Sequence, residues 1–188
     1  GRLETGVTRL ASMGYAVPGT VIAVGVMIPF AWLDNTLDGW LQRTLGVSSG
    51  LLISGTLGAL VFAYVVRFLA VSLQSVEAGL TRIRPAIDES ARSLGQTPLG
   101  VLRRIHLPML RTSLLSALLL VFVDVLKELP TTLILRPFNF NTLAVRAHEL
   151  ASDERLAEAA LPALAIVLIG LLPVILLTRS MSPEPTET

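Results

Sequence analysis

Cysteine is missing from all 188 residues of this chain. Disulfide scaffolds, thiolate metal sites and cysteine catalysis are thereby excluded. Charge is scarce: 15% of residues are Asp, Glu, Lys or Arg, against roughly 25% in a typical soluble domain. Charge of one sign is lacking too, since 15 basic residues nearly cancel 14 acidic ones. A net charge of +1 leaves no electrostatic footprint for a nucleic-acid binder. Histidine is limited to His106 and His148, too few for a His-rich metal site. No G-x-x-x-x-G-K-S/T phosphate loop is present, so ATP hydrolysis is not expected of this chain. H-E-x-x-H, G-x-S-x-G and a paired-carboxylate site are also missing. No catalytic, cofactor-binding or metal-binding residue is therefore assigned, and the chain reads as a non-enzyme.

What is abundant is apolar surface. Hydrophobic residues make up 52% of the chain and mean hydropathy is +0.68. A chain this apolar cannot cover a globule with polar groups, so its solvent is lipid. Apolar stretches at 16–33, 51–73, 113–129 and 160–178 approach the length needed to cross a bilayer core, about 20 helical residues. Backbone groups in lipid must be satisfied internally, so the stretches are helices, and strand-like alternation is absent. The expected fold is all-α: a polytopic membrane bundle of about four spans.

Basic residues orient it. Arg82, Arg84, Arg92, Arg103, Arg104 and Arg111 lie in the 74–112 loop; Arg2 and Arg9 precede the first span and Arg179 follows the last. Arg43, Arg136, Arg146 and Arg155 fall on the other side. The positive-inside bias places the 74–112 loop and both ends in the cytoplasm. Ser54/Gly58 and Gly55/Ala59 form small-xxx-small pairs for close packing of the second span. Arg67, inside that span, is expected to snorkel to its cytoplasmic edge.

The 74–112 loop is too patterned for a connector. Pro85 suits a first helical turn, and Asp88 and Glu89 suit the positive end of the dipole. Ile87, Ala91 and Leu94 give an apolar stripe, and Gly95 an αL stop. Pro98 starts a second short helix and Pro108 starts the third span. The loop then reads helix, Gly turn, helix, membrane.

These residues carry a family resemblance. Glu89-Ser90-Ala91, three residues, Gly95, nine residues, Ile105, one residue, Leu107-Pro108 resembles the cytoplasmic E-A-A motif of ABC importer permeases, with Ser90 replacing the middle Ala. The segments 14–20, 122–133, 136–144 and 151–164 resemble the ferric iron branch of that family. The resemblance implies a type I, MetI-like permease core, with residues 1–180 forming the C-terminal part of the second half of a longer permease. Residues 74–112 would be its coupling loop and residues 181–188 a disordered tail. Glu89, Ser90, Ala91, Gly95, Ile105, Leu107 and Pro108 would then dock on a cytoplasmic ABC ATPase dimer, which would bind the ATP and Mg. The other implied partners are the remaining permease half, a periplasmic or lipoprotein substrate-binding protein and the lipid bilayer. The location is the bacterial inner membrane. Two expected earlier spans are missing, so the chain is expected not to fold alone.

Asp124, Lys127 and Glu128 stand at i, i+3 and i+4, hence on one face of the third span if the helix continues. Intramembrane charges face a bundle interior or a watery cavity. They read either as a wall of the translocation path, attractive to a cation such as hard Fe³⁺, or as an ion-pair lock or gate. Pro130 is expected to end that helix. Leu143, Ala147 and Leu150 mark a short outer helix, and His148 reads as exposed. The ferric reading competes with the same fold carrying thiamine, a polyamine, sulfate or a phosphonate. It also competes with a non-transporting membrane scaffold and with a membrane enzyme using Asp124 and Glu128.

Overall fold

A computed structural model describes residues 13–181, so Arg2, Arg9 and the tail beyond Met181 lie outside the described residues. Among the described residues there is no strand. Seven helices follow a single turn at Met13–Tyr15: α1 (Gly19–Leu45), α2 (Leu57–Leu80), α3 (Pro85–Ser93), α4 (Pro98–Leu126), α5 (Pro130–Leu135), α6 (Leu143–Ser152) and α7 (Leu156–Met181). Of these, α1, α2, α4 and α7 are long and apolar enough to cross a membrane. The all-α, four-span reading therefore holds, with shifted boundaries.

The first span is longer than 16–33 because Asp34 and Asp38 do not end it. The buried Asp34 carboxylate accepts the backbone N–H groups of Leu52, Ile53 and Ser54 at 3.1, 3.0 and 2.7 Å. Asp38 accepts those of Ser49 and Gly50 at 2.7 and 3.1 Å. Two acids on the helix thus satisfy the backbone of the connection that follows. That connection contains Ser54 and Gly55, so the proposed small-residue pairs do not lie on one helix. Helix α2 begins only after Thr56, whose side chain caps the Ala59 N–H.

Helices α2 and α4 pack along each other, as do α6 and α7, while α1 lies against α5 and α2. Gly79 near the end of α2 meets Leu110 and Ser113 midway along α4. Val65 and Leu69 share a cleft with Val121 and Val125 further along. The two helices are therefore antiparallel. The buried core gathers Ile22, Ala23 and Val26 of α1 with Leu60 and Ala63 of α2 and Leu135 of α5.

Pro108 does not start a new helix. Residues 98–126 form one continuous helix with a π turn at Leu102–His106. Proline lacks an N–H and its ring clashes with the carbonyl four residues back. The wider turn absorbs this, and the Leu107 N–H bonds to the Leu102 carbonyl instead. Pro130 likewise does not end α4. The helix stops at Leu126, and Pro130 takes the first position of α5, where its missing N–H costs nothing. The short helix expected over Leu143, Ala147 and Leu150 is present as α6, burying Ala144, Val145 and Leu150. Arg155 pairs with Glu158 at the start of α7.

Candidate functional site

Two places bring the singled-out residues together. The first is the turn between α3 and α4. Gly95 has φ +78°, the left-handed region that side chains disfavour. The Gly95 N–H bonds to the Arg92 carbonyl at 2.9 Å and the Gln96 N–H to the Ala91 carbonyl at 3.0 Å. This is a Schellman stop. The Thr97 hydroxyl then caps α4 by accepting the Gly100 N–H at 3.2 Å. Across the turn, His106 Nε2 lies 2.7 Å from Asp88 Oδ1, tying the π turn of α4 to the first turn of α3. His106 therefore has a structural partner eighteen residues away.

Ala91 is buried under this turn, whereas Leu94 is 82% exposed. Ile87, Ser90, Ala91, Leu94 and Ile105 line a cleft of about 380 Å³. Glu89, Gly95, Leu107 and Pro108 are exposed, and Ile105 is half-buried. The turn is a braced knob with an apolar tip.

The second place lies deep between the spans. Arg67 does not snorkel. Helix α2 runs on to Leu80, which puts Arg67 about 20 Å of helical rise from that end. Its guanidinium turns inward, with Nη1 3.9 Å from Glu128 Oε1 and side chains 19% and 2% exposed respectively. Gly19 at the start of α1 makes room: a β-carbon there would collide with Arg67 Nη1 and lie 2.8 Å from Thr131 Oγ1.

Glu128 is not on one helical face with Asp124 and Lys127, because α4 has already ended. Its carboxylate instead caps α5. Oε1 accepts the Thr131 N–H and Oε2 the Thr132 N–H, each at 3.0 Å, and Oε2 also accepts the Thr132 hydroxyl at 2.8 Å. The Tyr64 hydroxyl reaches Thr132 Oγ1. Asp124 and Lys127 remain neighbours, paired at 3.0 Å. Tyr15, Arg67, Asp124, Lys127, Glu128 and Pro130 line a cavity of about 420 Å³.

Sequence reading therefore missed Arg67 as a partner, and Gly19, Tyr64, Thr131 and Thr132 as its surroundings. Two signals were available: an ionisable residue inside an apolar run, and an acid placed just ahead of a proline-started helix.

A family profile described as the binding-protein-dependent transport system inner membrane component matches residues 1–183. The chain belongs to this family. Among curated relatives, the Fe(3+)-transport system permease protein FbpB 2 of Haemophilus influenzae is 30% identical over 92% of this chain and 31% of its own length. The putative 2-aminoethylphosphonate transport system permease protein PhnV of Salmonella typhimurium is 31% identical over 83% of this chain and 52% of its own length. The chain thus spans about a third to a half of the curated relatives it matches. An inner membrane component of such a system is a transport subunit set in the membrane. That accounts for the apolar exterior of α1, α2, α4 and α7 and for buried charge with no catalytic motif around it.

Proposed function

We propose that this inner membrane component is the membrane-spanning core of an ATP-driven importer and that residues 85–108 receive the stroke of a cytoplasmic ABC ATPase dimer. The observation that carries the reading is the braced turn. A Schellman stop at Gly95 and the Asp88–His106 bond join α3 rigidly to α4. Because α4 runs unbroken from Pro98 to Leu126, a push on the knob moves the floor of the Arg67–Glu128 cavity. Glu89, Ser90, Ala91, Gly95, Ile105, Leu107 and Pro108 form or support the docking face.

ATP and Mg reside on the ATPase subunits, and this chain hydrolyses nothing. ATP binding closes the dimer and turns the spans from inward- to outward-facing. A substrate-binding protein delivers cargo to the outer side, where α5, α6 and their connection stand. The remaining permease half completes the pathway in the bacterial inner membrane. Only differential binding of ATP and of the loaded binding protein moves the equilibrium between the two states.

Ferric iron is the cargo we favour, since the Fe(3+)-transport relative matches over the larger share of this chain. A phosphonate is the second reading, supported by the comparable identity to PhnV. Asp124, Lys127 and Glu128 belong to the wall of the pathway or to its gate. A single cysteine replacing Leu94 in a cysteine-free version of the full permease tests the docking assignment. Cross-linking to a single-cysteine ATPase subunit is expected, changing in yield with ATP. A folded complex with no cross-link from Leu94 or Ser93 sinks it.

A further inference from the structure

Hydrogen-bond accounting in the Arg67 cavity gives an unequal result. The Glu128 carboxylate accepts three hydrogen bonds, one at Oε1 from Thr131 and two at Oε2 from Thr132. Asp124 is engaged by Lys127. On the donor side, Arg67 Nε and Nη1 are buried with no hydrogen-bond partner among the described residues. Glu128 stands 3.9 Å from Nη1, close enough to offset charge but too far to accept a hydrogen bond. Lys127 lines the same cavity with a side chain 63% exposed and carries three donors. Buried guanidinium N–H groups without acceptors are costly, and an arginine fork is shaped for planar or tetrahedral oxyanions.

We infer that the cavity bounded by Arg67, Lys127 and Pro130 binds an oxyanion during transport, with the Arg67 guanidinium and the Lys127 ammonium, which both line it, as its donors. This inference rests on the importer reading above and narrows its cargo. The oxyanion is either the cargo itself, as a phosphonate, or an anion that accompanies ferric ion as its ligand. Both carboxylates that line the cavity already have partners, Asp124 in Lys127 and Glu128 in Thr131 and Thr132. The pairing of Asp124 with Lys127 and the capping duty of Glu128 remove the negative face that their spacing in the sequence suggested.

The test uses the complete transporter with its ATPase and binding protein in liposomes, at equal amounts of assembled complex. Uptake is measured for 2-aminoethylphosphonate and for ferric ion with and without phosphate. With the unmodified protein, phosphonate uptake identifies the oxyanion as cargo, and phosphate-dependent iron uptake identifies it as an iron ligand. Arg67→Gln is expected to raise the KM for that probe on the order of ten-fold, as loss of a charged hydrogen bond predicts. Arg67→Lys keeps charge without the fork and falls between. The double variant Arg67→Gln with Glu128→Gln separates binding from bracing. If the pair merely braces the helices, removing both charges restores uptake, and the inference is overturned. It is also overturned if Arg67→Gln leaves KM unchanged while lowering only the yield of complex, because the donors then serve a protein neighbour. Iron uptake indifferent to any anion, without phosphonate uptake, overturns it as well. Absence of ATP-driven uptake of every probe by the unmodified transporter overturns this inference, whereas the importer reading falls separately, if a folded complex gives no Leu94 cross-link to the ATPase.

Discussion

Replacing Glu128 by alanine removes three accepted hydrogen bonds and leaves the Arg67 guanidinium without a counter-charge. Breaking a buried pair from one side costs about 3 kcal/mol or more. Glu128→Ala in the full permease is therefore expected to lower its melting temperature clearly in detergent. Glu128→Gln keeps an acceptor for the Thr131 N–H and is expected to cost less. Equal melting of both variants and the parent would show that the carboxylate is not needed for the fold. Gly19→Ala tests the same cluster from α1. Its β-carbon meets Arg67 and Thr131, and overpacking of this kind costs roughly 1–3 kcal/mol, so a destabilisation in that range is expected in the same melt.

The α3–α4 knob makes its predictions as an element. An alanine at Gly95, where φ is +78°, costs about 1–2 kcal/mol in the left-handed region. Asparagine tolerates that region better. Gly95→Ala is expected to uncouple ATP hydrolysis from transport more than Gly95→Asn, read as the ratio of cargo moved to ATP consumed. A double-mutant cycle on Asp88→Asn and His106→Gln should give a coupling energy of about 0.5–3 kcal/mol. Additive effects would mean the bond at 2.7 Å does not brace the knob. Much of this element was legible from spacing. Pro85, the acids after it and Gly95 each announce a local rule, and local rules act within a few residues. The π turn was not legible, because Pro108 is read from sequence as a helix start. It stays inside a helix only because residues 102–107 widen their turn.

At the scale of the whole molecule, the arginines predict an orientation. Arg82 and Arg84 precede α3 and Arg92 lies in its last turn, while Arg136 follows α5, Arg146 lies in α6 and Arg155 follows it. Membrane topology follows the basic excess near span ends. A membrane-impermeant thiol reagent should therefore label Ser93→Cys only from the cytoplasmic side and Asn139→Cys only from the outside, each in the cysteine-free full permease in sealed vesicles. The opposite pattern would invert the molecule and with it the docking assignment. Long apolar side chains such as Trp32, Leu118 and Leu172 are 62–67% exposed, as lipid-facing or partner-facing residues must be in a chain of this family.

Sequence alone determined the solvent, the helical class, the four spans and the turn at Gly95. Each depends on composition, on periodicity or on residues within one turn of helix, so neighbours distant in the chain have no vote. Tertiary structure decided where charge ends up. Arg67 looked free to snorkel until α2 extended to Leu80 and α5 brought Glu128 beside it. Glu128 looked like one of three charges on a helical face until α4 stopped at Leu126 and the carboxylate turned to cap α5. A buried charge goes where its counter-charge and hydrogen bonds are: Glu128 has Thr131 and Thr132 of α5 and Arg67 of α2, and Gly19 and Tyr64 bond those threonines from α1 and α2, helices that only the fold brings together.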